Sequence, residues 1–564
     1  MFGEQQGQRL FFVFLVAWGL LNAAQAAFTQ LDPDEAYYWI YARQLAWGYF
    51  DHPPMIAALI RGGYALFANE LGVRVGVIAL QLGSFYGIWL LLGQPQKRAE
   101  VWLLIGLLAA MPMLQVYGFI ATPDAPLLFF TVFFFWLYQR FVEKATWTHT
   151  LLLGLCMALL LYSKYHGVLL IFFTLLSNWR LLLHPRFYAA SVFGALLFVP
   201  HLYWQYAQDF PSFRYHLVGR DDPYELKHTL TYLLNQLVVF SPFLFPMIVL
   251  ALWRRRPADA LERAFYYSIF GFWLFFLYTT SKGHVEPQWT VILSIPFVII
   301  VWREAQQRPR YALWVQRLAV ATVLLLLVAR IALLKNNLFQ MKSDFHRSAW
   351  TGELQAQAKG LPVVFQNSYR DPSMYAFYTG EQPYTFTDAN YRKNQFDIRD
   401  WEKELHNRRV LIAGQPNWDC TDCKKTELTR KTVVLRVADS LQIAQKVRLD
   451  FVELPVFRQG EAWRFTLTVE NPYAHTIRLG VGDMPVRFVG VWYDPQRETV
   501  AGFAALQFDK PLHLLKPQAR EAVVATILPP QDLPVGAYVF ALGVQTGDLP
   551  PAFNSRLVSV AVEK

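Results

Sequence analysis

Apolar runs close to twenty residues long recur over the first 334 positions, separated by short polar turns, and then cease. Runs of that length, wound as helices, match the hydrocarbon thickness of a bilayer. The pattern predicts a polytopic α-helical membrane protein with about eleven transmembrane helices, at 10–30, 73–93, 101–120, 125–141, 148–162, 166–178, 187–204, 232–252, 264–281, 288–302 and 311–334. The fifth and sixth are divided at the polar stretch Ser163-Lys-Tyr-His166. The first run has Arg9 before it and Ala-Gln-Ala near its end, which also suits a cleaved signal peptide. A retained span is the better reading, because the acidic loop that follows must stay tethered beside the bundle.

Beyond 334 the period changes. Leu361–Phe365 and Val410–Gly414 read as strands, Pro372–Tyr378 as a short helix and Arg399–Asn407 as a charged helix, giving a small α/β domain over 335–431. From 432 to 564 short alternating strands are punctuated by Pro and Gly, among them Trp463–Val469, Ile477–Val481, Val523–Ile527 and Tyr538–Leu542. That spacing predicts a β-sandwich.

Charge fixes an expected orientation. With a cytoplasmic N-terminus, the cytoplasmic loops carry Lys97 and Arg98, Arg140 and Lys144, Arg180 and Arg186, Arg254 to Arg256 with Arg263, and Arg303, Arg308 and Arg310. Every one is basic, as cytoplasmic loops tend to be. Merging the fifth and sixth spans would place the Arg254 cluster outside. The same parity puts both C-terminal domains outside, together with 31–72, the turn 121–126, the turn at Lys164, 204–227 and 281–288. The net charge of +10 would suggest nucleic acid for a soluble protein, but here the cations sit in inter-span loops, so nucleic acid is not an expected partner. Cys156 lies in an apolar run, and the single Cys420-Thr-Asp-Cys423 motif has no second pair to complete a zinc site, so it reads as a local disulfide.

The chemistry concentrates in the first outer loop. Asp32, Asp34, Glu35, Asp51 and His52 stand among Tyr37, Tyr38, Trp39, Tyr41, Trp47, Tyr49 and Phe50, an aromatic belt of the kind found at lipid headgroup height. Asp32-Pro-Asp-Glu35 is also a complete helix start, with Asp32 as N-cap, Pro33 at the first position and Glu35 closing a capping box. The cap has no need of Asp34. Adjacent helical positions point about 100° apart, so Glu35 is assigned to local structure or ligand orientation and Asp34 to chemistry. Thr122-Pro-Asp124 repeats the pattern, with Thr122 capping and Asp124 either complementing the helix or converging on the same cavity. Lys164, Arg214, His216, Arg220, Lys282 and His284 supply cations on that face. Lys164 and Lys282 end apolar spans, where they either snorkel or capture an anionic headgroup. Arginine suits bidentate phosphate binding, and Pro53-Pro54 fixes how His52 is presented.

At these residues the chain resembles the bacterial branch of the protein O-mannosyltransferase superfamily, polyprenyl-phosphate-sugar-dependent glycosyltransferases of GT-C fold that include the aminoarabinose transferase acting on lipid A. The matching pieces run in order over 1–334: Asp34-Glu-Ala-Tyr-Tyr38, Gly48-Tyr-Phe-Asp-His-Pro-Pro-Met55, Thr122-Pro-Asp-Ala-Pro-Leu127, Ser163-Lys-Tyr165, Tyr203-Trp-Gln205 with Asp209 and Ser212-Phe213, and Pro287-Gln-Trp289. The resemblance implies Asp34 as catalytic base and His52, where some relatives carry lysine, as a holder of the lipid phosphate. The residues themselves add Glu35 and Asp124 as further catalytic candidates, Lys164, Arg214, Lys282 and His284 as phosphate ligands, and Tyr37, Tyr38, Asp51 and Trp289 as the lining of the substrate site. The resemblance further implies a bacterial inner-membrane location, a polyprenyl-phosphate-sugar donor, a glycolipid or glycan acceptor, and inversion by single displacement. A monophosphate carrier leaves a divalent metal optional, with no metal ligand assigned. Protein O-mannosylation is the alternative within the class. A lipid-linked sugar transporter or flippase is the alternative outside it, and would show charges buried mid-span and paired broken helices.

Overall fold

The computed structural model describes residues 4–217, 224–334, 348–453 and 455–564. The chain divides into two compact units, Met1–His346 and Arg347–Lys564.

Among the described residues of the first unit, six helices are long and apolar enough to cross a membrane: Gln6–Phe28, Glu70–Leu91, Asp124–Glu143, Pro185–Ala207, Pro287–Gln307 and Pro309–Leu334. The other five expected spans are also helical, but shorter, interrupted or less apolar. Arg98–Ala109 stops at Met111, which Pro112 forces into an extended conformation, and resumes as Pro112–Val116. Trp147–Ser163 and Gly167–Ser177 are parted at Lys164, where the polar stretch predicted a break. Leu226–Val239 and Phe245–Arg254 are parted around Ser241, whose φ is +73°. The Ser241 hydroxyl accepts from the Leu244 amide at 3.3 Å and bonds the Thr322 hydroxyl at 2.9 Å. Interrupted backbone is thereby satisfied inside the protein, as bilayer depth requires. Ala260–Thr279 is unbroken.

Two further helices lie between the first two spans. Pro33–Arg43 begins where the sequence predicts, whereas the helix Met55–Leu66 lies within the outer segment 31–72, for which the pattern predicts no second helix. It buries Ile56, Ala57 and Ile60 and, at 12 residues, is too short to cross a bilayer. Elsewhere backbones meet directly. A Cβ on Gly154 would stand 2.5 Å from the Ala190 carbonyl oxygen, and one on Gly194 2.7 Å from that of Gly154. Only glycine lets Trp147–Ser163 and Pro185–Ala207 approach so closely.

The second unit contains strands β1 (Val363–Gln366), β2 (Tyr384–Phe386), β3 (Arg408–Gly414), β4 (Lys424–Leu428) and β5 (Lys431–Leu441) in the order β2-β1-β3-β5-β4. Strand β1 is parallel to β2 and β3, while β5 is antiparallel to β3 and β4. There follow β6 (Arg448–Phe451), β7 (Phe457–Arg458), β8 (Trp463–Glu470), β9 (Ile477–Arg478), β10 (Val486–Asp494), β11 (Thr499–Ala505), β12 (Gln507–Phe508), β13 (Leu514–Leu515), β14 (Arg520–Ile527), β15 (Gly536–Thr546) and β16 (Val558–Glu563). They form sheets β11-β10-β15-β16-β7 and β12-β14-β8-β6, with β13-β9 as a separate pair. The expected boundary at 431/432 falls at the start of β5, which lies on the sandwich side of that boundary yet completes the α/β sheet. One core runs from Val364 and Ile412 through to Leu467 and Phe540. The charged segment expected as a helix forms only the 3-10 turn Trp401–Leu405, and the strand at Ile477 is two residues long. Cys420 and Cys423 form a disulfide.

Candidate active site

The helix Pro33–Arg43 is seated by its own acidic start. Asp32 accepts from the Asp34 amide and Glu35 accepts from the Asp32 amide, each at 2.9 Å, completing the capping box. Glu35 is fully buried and also accepts from Arg74 Nε at 2.8 Å, Arg74 Nη2 at 2.5 Å and the Ala121 amide at 2.7 Å. Four donors occupy the roughly four acceptor positions of a carboxylate. These contacts leave Glu35 no open acceptor position, which agrees with the structural side of its expected role rather than the catalytic one. Arg74 spends its remaining donors on the carbonyls of Ala26 at 2.9 Å, Thr29 at 2.6 Å and Gln30 at 2.8 Å. The pair thus ties the end of the first span to the second span and to the turn that leads to Asp124.

Asp51 is buried and accepts from the hydroxyls of Tyr37 at 2.9 Å and Tyr41 at 3.0 Å. Two residues expected to touch substrate, Tyr37 and Asp51, are held against each other instead. Tyr38 packs edge-on to His52 at 5.6 Å, and His52 lies 6.4 Å from the His216 ring, whose Nε2 bonds the Asp51 carbonyl at 3.1 Å. The loop is anchored from beneath. His201 Nδ1 meets the Trp47 carbonyl at 2.7 Å, Ser212 donates to the Tyr49 carbonyl at 2.9 Å, and Gln205 donates to Ser212 at 2.7 Å and to the Tyr165 hydroxyl at 3.0 Å. Gly48 lies flat on the Trp204 ring, where any Cβ would collide.

Asp124 and Lys164 form a buried ion pair at 2.7 Å. The Asp124 helix is not capped by Thr122, whose buried hydroxyl makes no hydrogen bond among the described residues, because Pro123 occupies the capping position. Trp289 packs 5.4 Å from both His166 and Phe276. The Tyr117 hydroxyl lies within reach of the charges of Asp124, Asp32, Glu286 and Asp34, in decreasing order. The turns at 31–35, 121–124, 164–166 and 286–289 accordingly meet at one end of the bundle, with Asp34 half-exposed among them. Three expected phosphate ligands lie at its rim. Arg214 is exposed and paired with Asp209 at 2.6 Å, Lys282 is exposed, and His284 stands 3.9 Å from Glu286. Arg220 lies outside the described residues. Sequence reasoning overlooked Arg74, Tyr117 and the Tyr165–His201 contact, 2.9 Å from hydroxyl to Nε2. A lone arginine just inside an apolar run was the available signal, since such a charge needs a partner. No three His, Cys, Asp or Glu side chains among the described residues are grouped to hold a metal.

The fold is similar to that of ArnT from Cupriavidus metallidurans in its apo state, at a TM-score of 0.57 and 14% identity, covering 76% of this chain and 98% of that one. The chain has the ArnT fold. A second ArnT structure from the same organism, bound to undecaprenyl phosphate, matches this chain at a TM-score of 0.57 and 15% identity, covering 75% of it and 97% of ArnT. Residues 51–204 match the family model described as dolichyl-phosphate-mannose-protein mannosyltransferase. That segment contains Asp51, His52, Asp124 and Lys164 and excludes Asp34, Arg214 and Lys282. No curated protein matches the chain.

Proposed function

We propose that this protein is an integral-membrane inverting glycosyltransferase that moves a sugar from a polyprenyl-phosphate donor to a hydroxyl of a cell-envelope glycan or glycolipid, such as lipid A, at the extracytoplasmic face of the inner membrane. One observation carries the assignment of the base. Asp34 lies in the turn that meets the Asp124 and Lys164 turn, its side chain is only partly buried, and the capping box is built by Asp32 and Glu35 without its carboxylate. Asp34 accepts the proton of the acceptor hydroxyl as that oxygen bonds to the anomeric carbon. The bond from that carbon to the phosphate oxygen breaks at the same time, and its electron pair leaves with the lipid phosphate. Opposite-side attack inverts the centre. Lys164, with two further N–H donors beyond Asp124, and His52 stabilise the phosphate from within, while Lys282 and His284 serve from the rim. Arg214 joins them only by releasing Asp209. Tyr38 and Trp289 offer aromatic faces to the sugar. The undecaprenyl phosphate in the ArnT structure supports this donor class.

The test is Asp34→Asn, with transfer from radiolabelled undecaprenyl-phosphate sugars followed in membranes. Loss of transfer by roughly a hundred-fold or more, the usual contribution of a general base, is expected while donor binding persists. Undiminished transfer removes Asp34 from the mechanism. Donor translocation without transfer by the native protein would favour a transporter.

A further inference from the structure

We propose that Tyr165 is a positioning residue for the donor phosphate, its hydroxyl being the joint that holds the loop bearing His52 against the turn bearing Lys164. The joint rests on the geometry of the first unit. The anion it serves rests on the function proposed above.

Tyr165 directly follows Lys164, in the break between Trp147–Ser163 and Gly167–Ser177. On the other side of the joint, three alternate carbonyls of the His52 loop are each held by a side chain. His201 Nδ1 meets that of Trp47, Ser212 Oγ that of Tyr49 and His216 Nε2 that of Asp51, at 2.7, 2.9 and 3.1 Å. All three holders lie on the helices Pro185–Ala207 and Pro211–Leu217, and Tyr165 ties them together. A carbonyl can only accept, so the His201 proton sits on Nδ1, and Nε2 is left to accept from the Tyr165 hydroxyl at 2.9 Å. That hydroxyl accepts in turn from Gln205 Nε2 at 3.0 Å, and the same amide nitrogen donates to Ser212 at 2.7 Å. One amide thus feeds two branches, one through Tyr165 and His201 to the Trp47 carbonyl and one through Ser212 to the Tyr49 carbonyl. The third holder, His216, packs its ring 5.8 Å from that of Tyr165 and 6.4 Å from that of His52.

His201, Gln205 and Ser212 are fully buried, so no solvent stands ready to replace a missing partner. Without the hydroxyl, His201 Nε2 and one Gln205 N–H are left unpaired, which costs more than the bond itself is worth. The side chains that would have to adjust stand on helices, whereas residues 44–54 form no helix or strand. The loop is therefore the part that yields, and it carries His52 with it. A loop already held in its binding form loses little freedom when the anion arrives, and that advantage is what the tyrosine hydroxyl supplies.

The test measures binding of radiolabelled undecaprenyl phosphate to the full-length protein in phosphatidylcholine nanodiscs, a readout that needs neither sugar nor acceptor. Tyr165→Phe removes one oxygen and should weaken binding roughly ten-fold, the scale of a hydrogen bond lost among buried partners. His201→Phe, which breaks the next link and keeps a ring, should match it, and the two together should weaken binding no further than either alone. His52→Ala should weaken binding as well. Added to His52→Ala, Tyr165→Phe should change binding by less than about two-fold, because the hydroxyl acts through the loop that presents His52. A merely structural role would give the same loss in both His52 backgrounds. Thermal melting confirms that each variant is folded. Native binding by Tyr165→Phe, an equal loss in both backgrounds, or no loss for His52→Ala overturns the inference and leaves the donor assignment standing. Failure of the native protein to bind undecaprenyl phosphate removes the donor assignment, and the inference with it.

Discussion

Removing the Arg74 side chain tests the scaffold beneath the site. Arg74 has five N–H donors and all five are matched, two by Glu35 and three by the carbonyls that end the first span. Arg74→Ala leaves Glu35 as a buried carboxylate facing only two amides, and strands three carbonyls. Breaking a buried pair from one side costs about 3–5 kcal/mol. Arg74→Lys keeps the charge but loses the planar fork, and should fall between the variant and the native protein. The chain offers a built-in probe. Cys156 is its buried free thiol, and the other two cysteines are joined in a disulfide. A thiol-reactive fluorophore followed through a thermal ramp in detergent therefore reports opening of the membrane unit alone. Arg74→Ala should open well before the native protein, with Arg74→Lys intermediate, and transfer should fall because the Pro33–Arg43 helix no longer has a fixed seat. A native melting curve for Arg74→Ala would refute the reasoning, since a carboxylate stripped of its cation at that depth cannot be without cost.

Other predictions concern separate parts of the molecule. Lys164→Met strands Asp124 and should destabilise the membrane unit by about 3–5 kcal/mol, whereas Lys164→Met with Asp124→Leu should recover stability without recovering transfer; a double variant no more stable than the single one would contradict this. In the second unit, burial and the neighbouring His475 ring, 3.6 Å away, depress His406 to about 4. Between about 6.5 and 4 the unfolded chain binds a proton there that the folded one refuses, so this contribution is complete above about pH 6.5 and lost as pH falls toward 4. Partial exposure limits it to about 1–2 kcal/mol, and His406→Gln should flatten the pH dependence of melting in that window. Reducing the Cys420–Cys423 disulfide, which closes a very short loop, should lower stability by about 2 kcal/mol, measured by melting with and without reductant. A cysteine at the exposed Lys282 position should react with an impermeant maleimide on spheroplasts; labelling only after lysis would reverse the expected topology.

The hydrophobic pattern alone located the long apolar helices, because a bilayer imposes a length on every crossing helix and that length is written in consecutive residues. Local chemistry was equally legible: the capping box at Asp32 to Glu35, the break at Lys164 and the disulfide at Cys420 each depend on residues a few positions apart. Helix geometry gave Asp34 and Glu35 different tasks, since adjacent positions point about 100° apart. Partnership was decided only in three dimensions. Arg74 reaches Glu35 across 39 positions, Lys164 reaches Asp124 across 40, and Ala121 reaches Glu35 across 86. Sequence reads each of these side chains as a charge available to a ligand; packing commits some of them to one another and leaves Arg214 at the rim. The assignment of β5 to the α/β sheet has the same origin, since only its pairing with β3 and β4 chooses between the two neighbouring sheets. Short-range order follows from backbone sterics and solvent, while the identity of each buried charge's partner depends on where distant segments come to rest.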